Sequence, residues 1–555
     1  MPTMSSTPAP PTAGLQRWFA LASIGLVMAA AAMLLGIGRW WGDAAPPPAA
    51  ASAADDLAGA LDRALARQDL LHAGLAIRPL SDARPAGSGV LADGLCDALG
   101  TRLARLGGLR LVPCQATRAA VATRLDDRQL ARLLNVRWVL GGSVEVHSAD
   151  RLRVRLALRD ADLVRPAWQL DEELTLADLQ ALPDRVAAAA GPLLGRAVAG
   201  PPAVRIAATA YADLLRAREL ARRPGIEDRL TALGLVEQVL AAEPQHLPAQ
   251  VLHWQLRSTL VGNVGPPGER ATAEQMHATR AALQQESLAL AQRLIAADPG
   301  DLRAQALLMS HDVQNRRWVE AFDRMDALLR ERATLPGLLR LAARLHLHAG
   351  YVTRTQELAL AAARLNALDA EALEVLAYAH GARGDDAALR ELVALARQIG
   401  HGGIGWAAAV EAGRRRDLAT LASELAAWVG QGGRWPADWV PAYAQALATP
   451  PGSPQRTAVL DLLDSHDGGT RQQFAHYLFE KAVLGAVPHS LRAVQHHAAL
   501  PPAAWLQQLW WPEMAAVRAQ PGFADAMADL GLPALWARRG PPDGCRLLGD
   551  RLACP

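Results

Sequence analysis

Hydrophobic and polar positions alternate in different rhythms along this chain, and the changes of rhythm mark its parts. Trp18–Gly38 carries no charge at all. From Leu71 onward, short apolar runs alternate with helical periods. Gly74–Leu80 reads as a buried strand ended at Pro79. Val90–Leu106 has apolar residues at helical spacing and stops at Gly107-Gly108. Leu109–Val112 predicts a second strand, and Asp126 and Asp127 start a helix running to Leu134. Trp138–Val146 predicts a third strand. In the fourth, Leu152, Val154, Leu156 and Leu158 alternate with Arg151, Arg153, Arg155 and Arg159. That period of two requires one buried face and one solvated face. Trp168–Leu174 predicts a fifth strand and Leu176–Val198 a closing helix.

Beyond Ile206 no strand rhythm competes with the helical one. Ala208–Arg223 and Leu230–Ala242 predict a helix pair closed by Ala241-Ala242-Glu243-Pro244. Similar closures recur at Ala296-Ala297-Asp298-Pro299, at Pro336 and at Asp369-Ala370. Residues 372–385, with a helix, a Gly-Asp turn and the start of a second helix, form the cleanest unit. These spacings resemble tetratricopeptide repeats of about 34 residues, with 261–268 as an inserted loop. The resemblance implies a right-handed superhelix with a concave, protein-binding surface. Past Gly400 the rhythm weakens.

The strand-rich part resembles a known family. The strings L-A-I-R-P-L (75–80), L-A-D-G-L (91–95), L-R-L-V-P (109–113), L-N-V-R-W-V-L-G-G-S-V (134–144) and R-L-R-V-R-L-A-L-R-D-A (151–161) are similar to the TolB amino-terminal-like, FlgO-type domain. That unit precedes helical repeats in CadC-like membrane regulators and in some adenylate cyclases. The end of the chain, 510–536 followed by G-P-P-D-G-C at 540–545, resembles the terminal segment of the same proteins. It implies a cap on the hydrophobic end of the solenoid. The family's unit is a binding module, so the resemblance implies no catalytic residue. Its cytoplasmic output domain has no counterpart in the 17 residues before the apolar run, so neither transcriptional nor cyclase activity is expected.

The apolar run itself predicts a membrane anchor. Twenty-one helical residues span about 31 Å, the thickness of the hydrocarbon core. Arg17 and Arg39 bound it, and Trp18, Trp40 and Trp41 sit where interfacial aromatic anchors belong. A cleaved signal peptide is the rival reading; the run is long for one, and Trp41–Ala45 is a poor cleavage site.

The resulting expectation is an α+β chain with one amino-terminal transmembrane helix, a small α/β domain and a mostly α-helical, tetratricopeptide-like solenoid. Its divisions are a disordered cytoplasmic stub at 1–17, the transmembrane helix at 18–38, a linker and lead-in helix at 39–70, and a TolB-like α/β domain at 71–200. Helical repeats follow at 206–400, degenerate helical repeats at 401–509, and a cap and tail at 510–555. The expected location is the bacterial inner membrane, single-pass, with most of the chain in the periplasm.

Composition refines this picture in three ways. Half the 555 residues are apolar (51%), which excludes disorder for most of the chain, while 20% charged residues spread throughout exclude a polytopic membrane protein. The net charge of +2 gives no pull toward nucleic acid, and the arginines of the fourth strand read as a solvated sheet face without interleaved aromatics. Four cysteines in an exported chain permit two disulfides. Cys96, in the first turn of the first predicted helix, and Cys114, just past the second strand, belong to the same end of a β-α-β unit. Cys545 and Cys554 close a short loop. Free thiols are the alternative.

Candidate chemistry is otherwise sparse. No H-E-x-x-H, G-x-S-x-G or phosphate-loop string occurs, and no C-x-x-C supports zinc. No catalytic, cofactor or metal residue is expected. The pairs His346/His348 and His476/Glu480 read as ordinary polar positions. The expected function is a periplasmic protein-interaction module, the sensor or scaffold half of a signalling system, binding unknown protein partners through its repeat groove. The alternatives are an envelope enzyme with its site in the α/β domain, and a cytoplasm-facing adaptor.

Overall fold

The computed structural model describes residues 74–554, apart from 83–88, 118–125, 261–272, 431–438, 466–470 and shorter gaps of one to five residues. The predicted stub, apolar run and linker, with Arg17, Trp18, Arg39, Trp40 and Trp41, lie outside the described residues. The expected α+β chain with a transmembrane helix is corrected. The described residues are mostly helical, with one six-stranded sheet and one two-stranded hairpin, and among them no helix is long and apolar enough to cross a membrane.

The strand rhythm folds as a mixed sheet. Its strands are β1 (Leu75–Ile77), β2 (Ser81–Asp82), β3 (Leu111–Val112), β4 (Trp138–Val146), β5 (Arg151–Asp160) and β6 (Trp168–Thr175). The order is β3-β1-β4-β5-β6, with β2 also on β4. β1 pairs in parallel with β3 and β4, whereas β4, β5 and β6 form an antiparallel meander. The helices of this unit are α1 (Gly89–Leu103), α2 (Asp127–Leu133), α3 (Leu176–Leu179) and α4 (Leu182–Leu193). α2 starts as its sequence requires, with a capping box between Asp126 and Gln129. The predicted closing helix is broken in two. Thr175 caps α3, and Pro183 in the first turn of α4 starts a new helix.

β5 obeys its period of two. Leu152, Val154, Leu156 and Leu158 are buried, while its arginines face solvent in a ladder with the neighbouring strands. Arg153 Nε donates to Asp171 at 2.7 Å, Arg155 pairs with Glu145 at 2.5 Å, and Arg151 lies 3.7 Å from Glu173. Gly142 is required where β4 meets β5, because a Cβ there would lie 1.9 Å from the Arg155 carbonyl oxygen. The parallel end is covered on both faces. α2 packs on one through Leu130, Ala131 and Leu134, and α1 packs on the other.

Sixteen helices then form eight successive hairpins. The first four are α5 (Ala208–Arg222) with α6 (Ile226–Ala242), α7 (Leu247–Leu260) with α8 (Ala273–Ala297), α9 (Leu302–Gln314) with α10 (Trp318–Arg332), and α11 (Pro336–His348) with α12 (Val352–Leu365). The last four are α13 (Ala370–Arg383) with α14 (Asp386–Gln398), α15 (Gly405–Arg414) with α16 (Leu418–Gly430), α17 (Trp439–Leu447) with α18 (Pro454–Ser465), and α19 (Arg471–Val483) with α20 (Val487–Ala498). Each of the last six turns on one residue with positive φ: Arg316, Gly350, Gly384, Arg416, Gly452 and Gly485. Successive positions are 34, 34, 32, 36 and 33 residues apart. The repeat therefore continues through the region where the sequence rhythm fades.

No boundary separates the α/β unit from the array. One core runs from Leu75 and Leu95 through Val186 to Tyr211, Leu214, Leu215 and Leu256. At Gly94 a Cβ would come within 2.7 Å of Leu215, so α1 lies directly on α5. Arg110 donates to the carbonyls of Leu134 and Leu365, tying the sheet to the end of α12.

The last segment lies against the last hairpin of the array and also against hairpins three to six. It comprises two 3-10 helices (Ala504–Trp510 and Pro512–Met514), α21 (Ala515–Arg518), α22 (Pro521–Asp529), α23 (Leu532–Arg539) and a hairpin of β7 (Arg546–Leu548) and β8 (Arg551–Ala553). Trp318 Nε1 donates to Leu530, Trp536 Nε1 to Ala349 and Tyr351 Oη to Gly540. Arg414 holds Glu513 in a two-pronged pair at 2.6 and 3.0 Å. Trp511 is fully buried among Tyr378, Trp406 and Phe479, which come from three different hairpins. Its ring fits because residue 381 is glycine; a Cβ there would lie 2.1 Å from it.

Candidate functional site

Between α1 of the α/β unit and the first three hairpins lies a cleft of about 320 Å³. α1 supplies Asp97 and Thr101, α5 supplies Arg218, α6 Arg229, α7 Gln255 and Thr259, and α9 Arg303. Three guanidinium groups thus reach one space from three helices.

They are not equivalently paired. Arg303 doubles back on the α9 cap, its Nε 3.0 Å and its Nη2 2.5 Å from the Asp301 carboxylate. Asp301 also accepts from the backbone of Arg303 at 2.8 Å and caps the helix. Among the described residues, the guanidinium groups of Arg218 and Arg229 have no ion pair or hydrogen bond. Burial pushes the Arg218 guanidinium below its ordinary value; Tyr211 opposes the shift and Arg303 adds to it. His246, behind it, is buried with no partner for Nδ1. Burial, and then the charge of Arg218, hold its imidazole down at about 4, so it is neutral at physiological pH.

A second cavity, of about 580 Å³, lies between hairpins six, seven and eight. Leu421, Leu425, Tyr443 and Val483 line much of it, and Glu480 reaches it from α19. The Glu480 carboxyl accepts from Trp406 Nε1 at 3.2 Å, and its second oxygen has no partner. Burial raises its pKa well above the usual carboxylate range, which favours the neutral acid. Next to it in sequence, Lys481 is also buried and pairs with Asp464 at 2.5 Å.

The residues singled out in the sequence fall elsewhere. Cys96 and Cys114 form a disulfide with Cα atoms 6.2 Å apart. The helix begins at Gly89, which puts Cys96 in its second turn instead of its first. Cys545 and Cys554 form a second disulfide, with Cα atoms 4.2 Å apart, across the ends of the β7–β8 hairpin. Neither bridge lies among the residues of the two cavities. Among the described residues no group of three His, Cys, Asp or Glu side chains is placed to hold a metal.

The arginine cleft was missed because its members lie on separate helices between positions 218 and 303. One signal was present: Tyr211, Leu214, Leu215 and Arg218 share a single helical stripe, so an arginine occupies an otherwise apolar face. Compared with known proteins, the chain matches no family model, and no curated protein is found as a relative.

Proposed function

We propose that this chain is a non-catalytic interaction protein of an oxidising, extracytoplasmic compartment, with a TolB-like unit joined to a tetratricopeptide-like array. The observation that carries the reading is the repetition of helical hairpins, six of them turning on a left-handed residue at steps near 34. Stacked hairpins of this kind expose extended binding surface in proportion to their number. Both disulfides support the compartment, since such bridges persist where thiols are kept oxidised.

The partner surface is narrower than the sequence implied. Hairpins three to six and the eighth are engaged by the chain's own last segment. The first hairpin is engaged by α1. Of the remaining surface, the partner docks on the exposed side of the first two hairpins, where Arg216 and Ser258 face solvent. A photo-crosslinking residue at Ser258 should give one discrete adduct in cells, and the same residue at exposed Asp461 should give none. Equal or absent adducts at both positions would overturn the reading. In the same cells, all four cysteines should resist alkylation until reduced; ready labelling would remove the compartment.

A further inference from the structure

We propose that the cleft between the α/β unit and the first three hairpins is a binding site for a small carboxylate- or phosphate-bearing anion, held by Arg218 and Arg229. This inference is independent of the partner-binding reading. A half-buried guanidinium without a counter-charge is costly, because the lost hydration is not repaid by an ion pair. Burial lowers the Arg218 pKa, and the like charge of Arg303, on the same cleft, lowers it further. Arg303 has Asp301; Arg218 and Arg229 have no carboxylate among the described residues. Asp97, on the cleft wall, is already engaged by another group. Sequence economy alone would have placed an apolar residue at 218, in line with Leu214 and Leu215. A bound anion supplies the missing charge, and arginine forks match the geometry of carboxylate and phosphate oxygens.

The surroundings fix the class of ligand. Gln255, Thr259 and Thr101 add neutral hydrogen-bonding groups around the charged ones. The volume, about 320 Å³, sits at the small end of ligand sites and suits a compact metabolite rather than a polymer. The cleft joins α1 to α5, α6, α7 and α9, so an occupant bridges the α/β unit and the array.

Calorimetric titration of the purified full chain with inorganic phosphate and, separately, citrate tests the site, with chloride holding ionic strength constant. Saturable binding of at least one probe is expected. Arg218→Gln should weaken it roughly tenfold or more, the loss that follows removal of a charge-assisted hydrogen bond. The same variant, without ligand, should melt at or above the wild-type temperature, because the repulsion from Arg303 has been relieved. Arg229→Gln should weaken binding with an unchanged melting temperature, and decides the matter alone if Arg218→Gln does not fold. Absence of saturable binding to either probe, or binding equal in wild type and Arg229→Gln, would overturn the proposal. So would an Arg218→Gln protein that binds as wild type and melts lower, since Arg218 would then be structural.

Discussion

At the scale of single residues, burial sets the ionisation of several groups, and two of them act in opposite directions with pH. His346 is buried beside Phe322, its ring centroid 4.8 Å away, and Nδ1 donates to the Ala342 carbonyl at 2.8 Å. Burial lowers its pKa to about 3, with Arg354 and Arg539 adding to the shift. Its folded pKa lies below the unfolded value, so its stabilising contribution is complete above pH 6.5. That contribution is lost as pH falls toward 3, by on the order of 1.4 kcal/mol per unit. His346→Gln should therefore flatten the fall in melting temperature between pH 6 and pH 4. Glu480 has the opposite sign. Its folded pKa is raised, so stability is present below the unfolded value near 4.5 and declines as pH rises toward the folded value. Glu480→Gln, which can still accept from Trp406, should raise the melting temperature at pH 7 and leave it unchanged at pH 4. Arg416 shows a backbone effect. Its φ of 60° is left-handed, where a Cβ costs about 1 kcal/mol. Arg416→Gly should raise the unfolding free energy, measured by urea denaturation, by up to that amount.

At the scale of elements, the hairpins explain what the last segment does. Each turn residue lets one helix reverse onto the next, and the first helices of hairpins five, six and eight converge on Trp511. Gly350 and Gly381 are the points of closest approach, meeting Pro542 with Trp510 and Trp511 respectively. Trp511→Ala leaves a cavity among Tyr378, Trp406 and Phe479 and should cost about 3–5 kcal/mol, measured by denaturant unfolding. A near-ultraviolet circular dichroism signal that weakens in the variant while helix content stays constant would locate the loss in this cluster. The sequence implied a cap at the end of the solenoid; the segment lies against the last hairpin and also against hairpins three to six. The signal it offered, tryptophans and prolines in an apolar context, marks a surface that must be covered and does not say by which neighbours.

At the scale of the molecule, the α/β unit and the array are one body. The core that begins at Leu75 continues without interruption to Leu214, Leu215 and Leu256, and Arg110 ties the sheet to Leu365. A fragment ending at residue 204 should therefore fail to unfold cooperatively, because α5 supplies one wall of its core. Extending it to residue 242 restores α5 and α6 and should recover a cooperative thermal transition by circular dichroism. Equal cooperativity in the two fragments would show that the unit folds without the array. The same continuity places the arginine cleft between parts that do not move freely, a preformed setting for a small ligand.

By itself the sequence determined what depends on neighbours along the chain. The period of two in β5, the capping box at Asp126 and the helical stripes of the array are all written within one or two turns, because backbone geometry sets those periods locally. It also brought forward the two cysteine pairs that the fold joins. The tertiary structure decided what depends on how hairpins add up. A stack curves by a small rotation at each step, and those rotations are set by interfaces that no single helix encodes. Only their sum brings Phe479 to Trp406, gives Trp511 its place between them, and turns arginines from α5, α6 and α9 into one charged cleft.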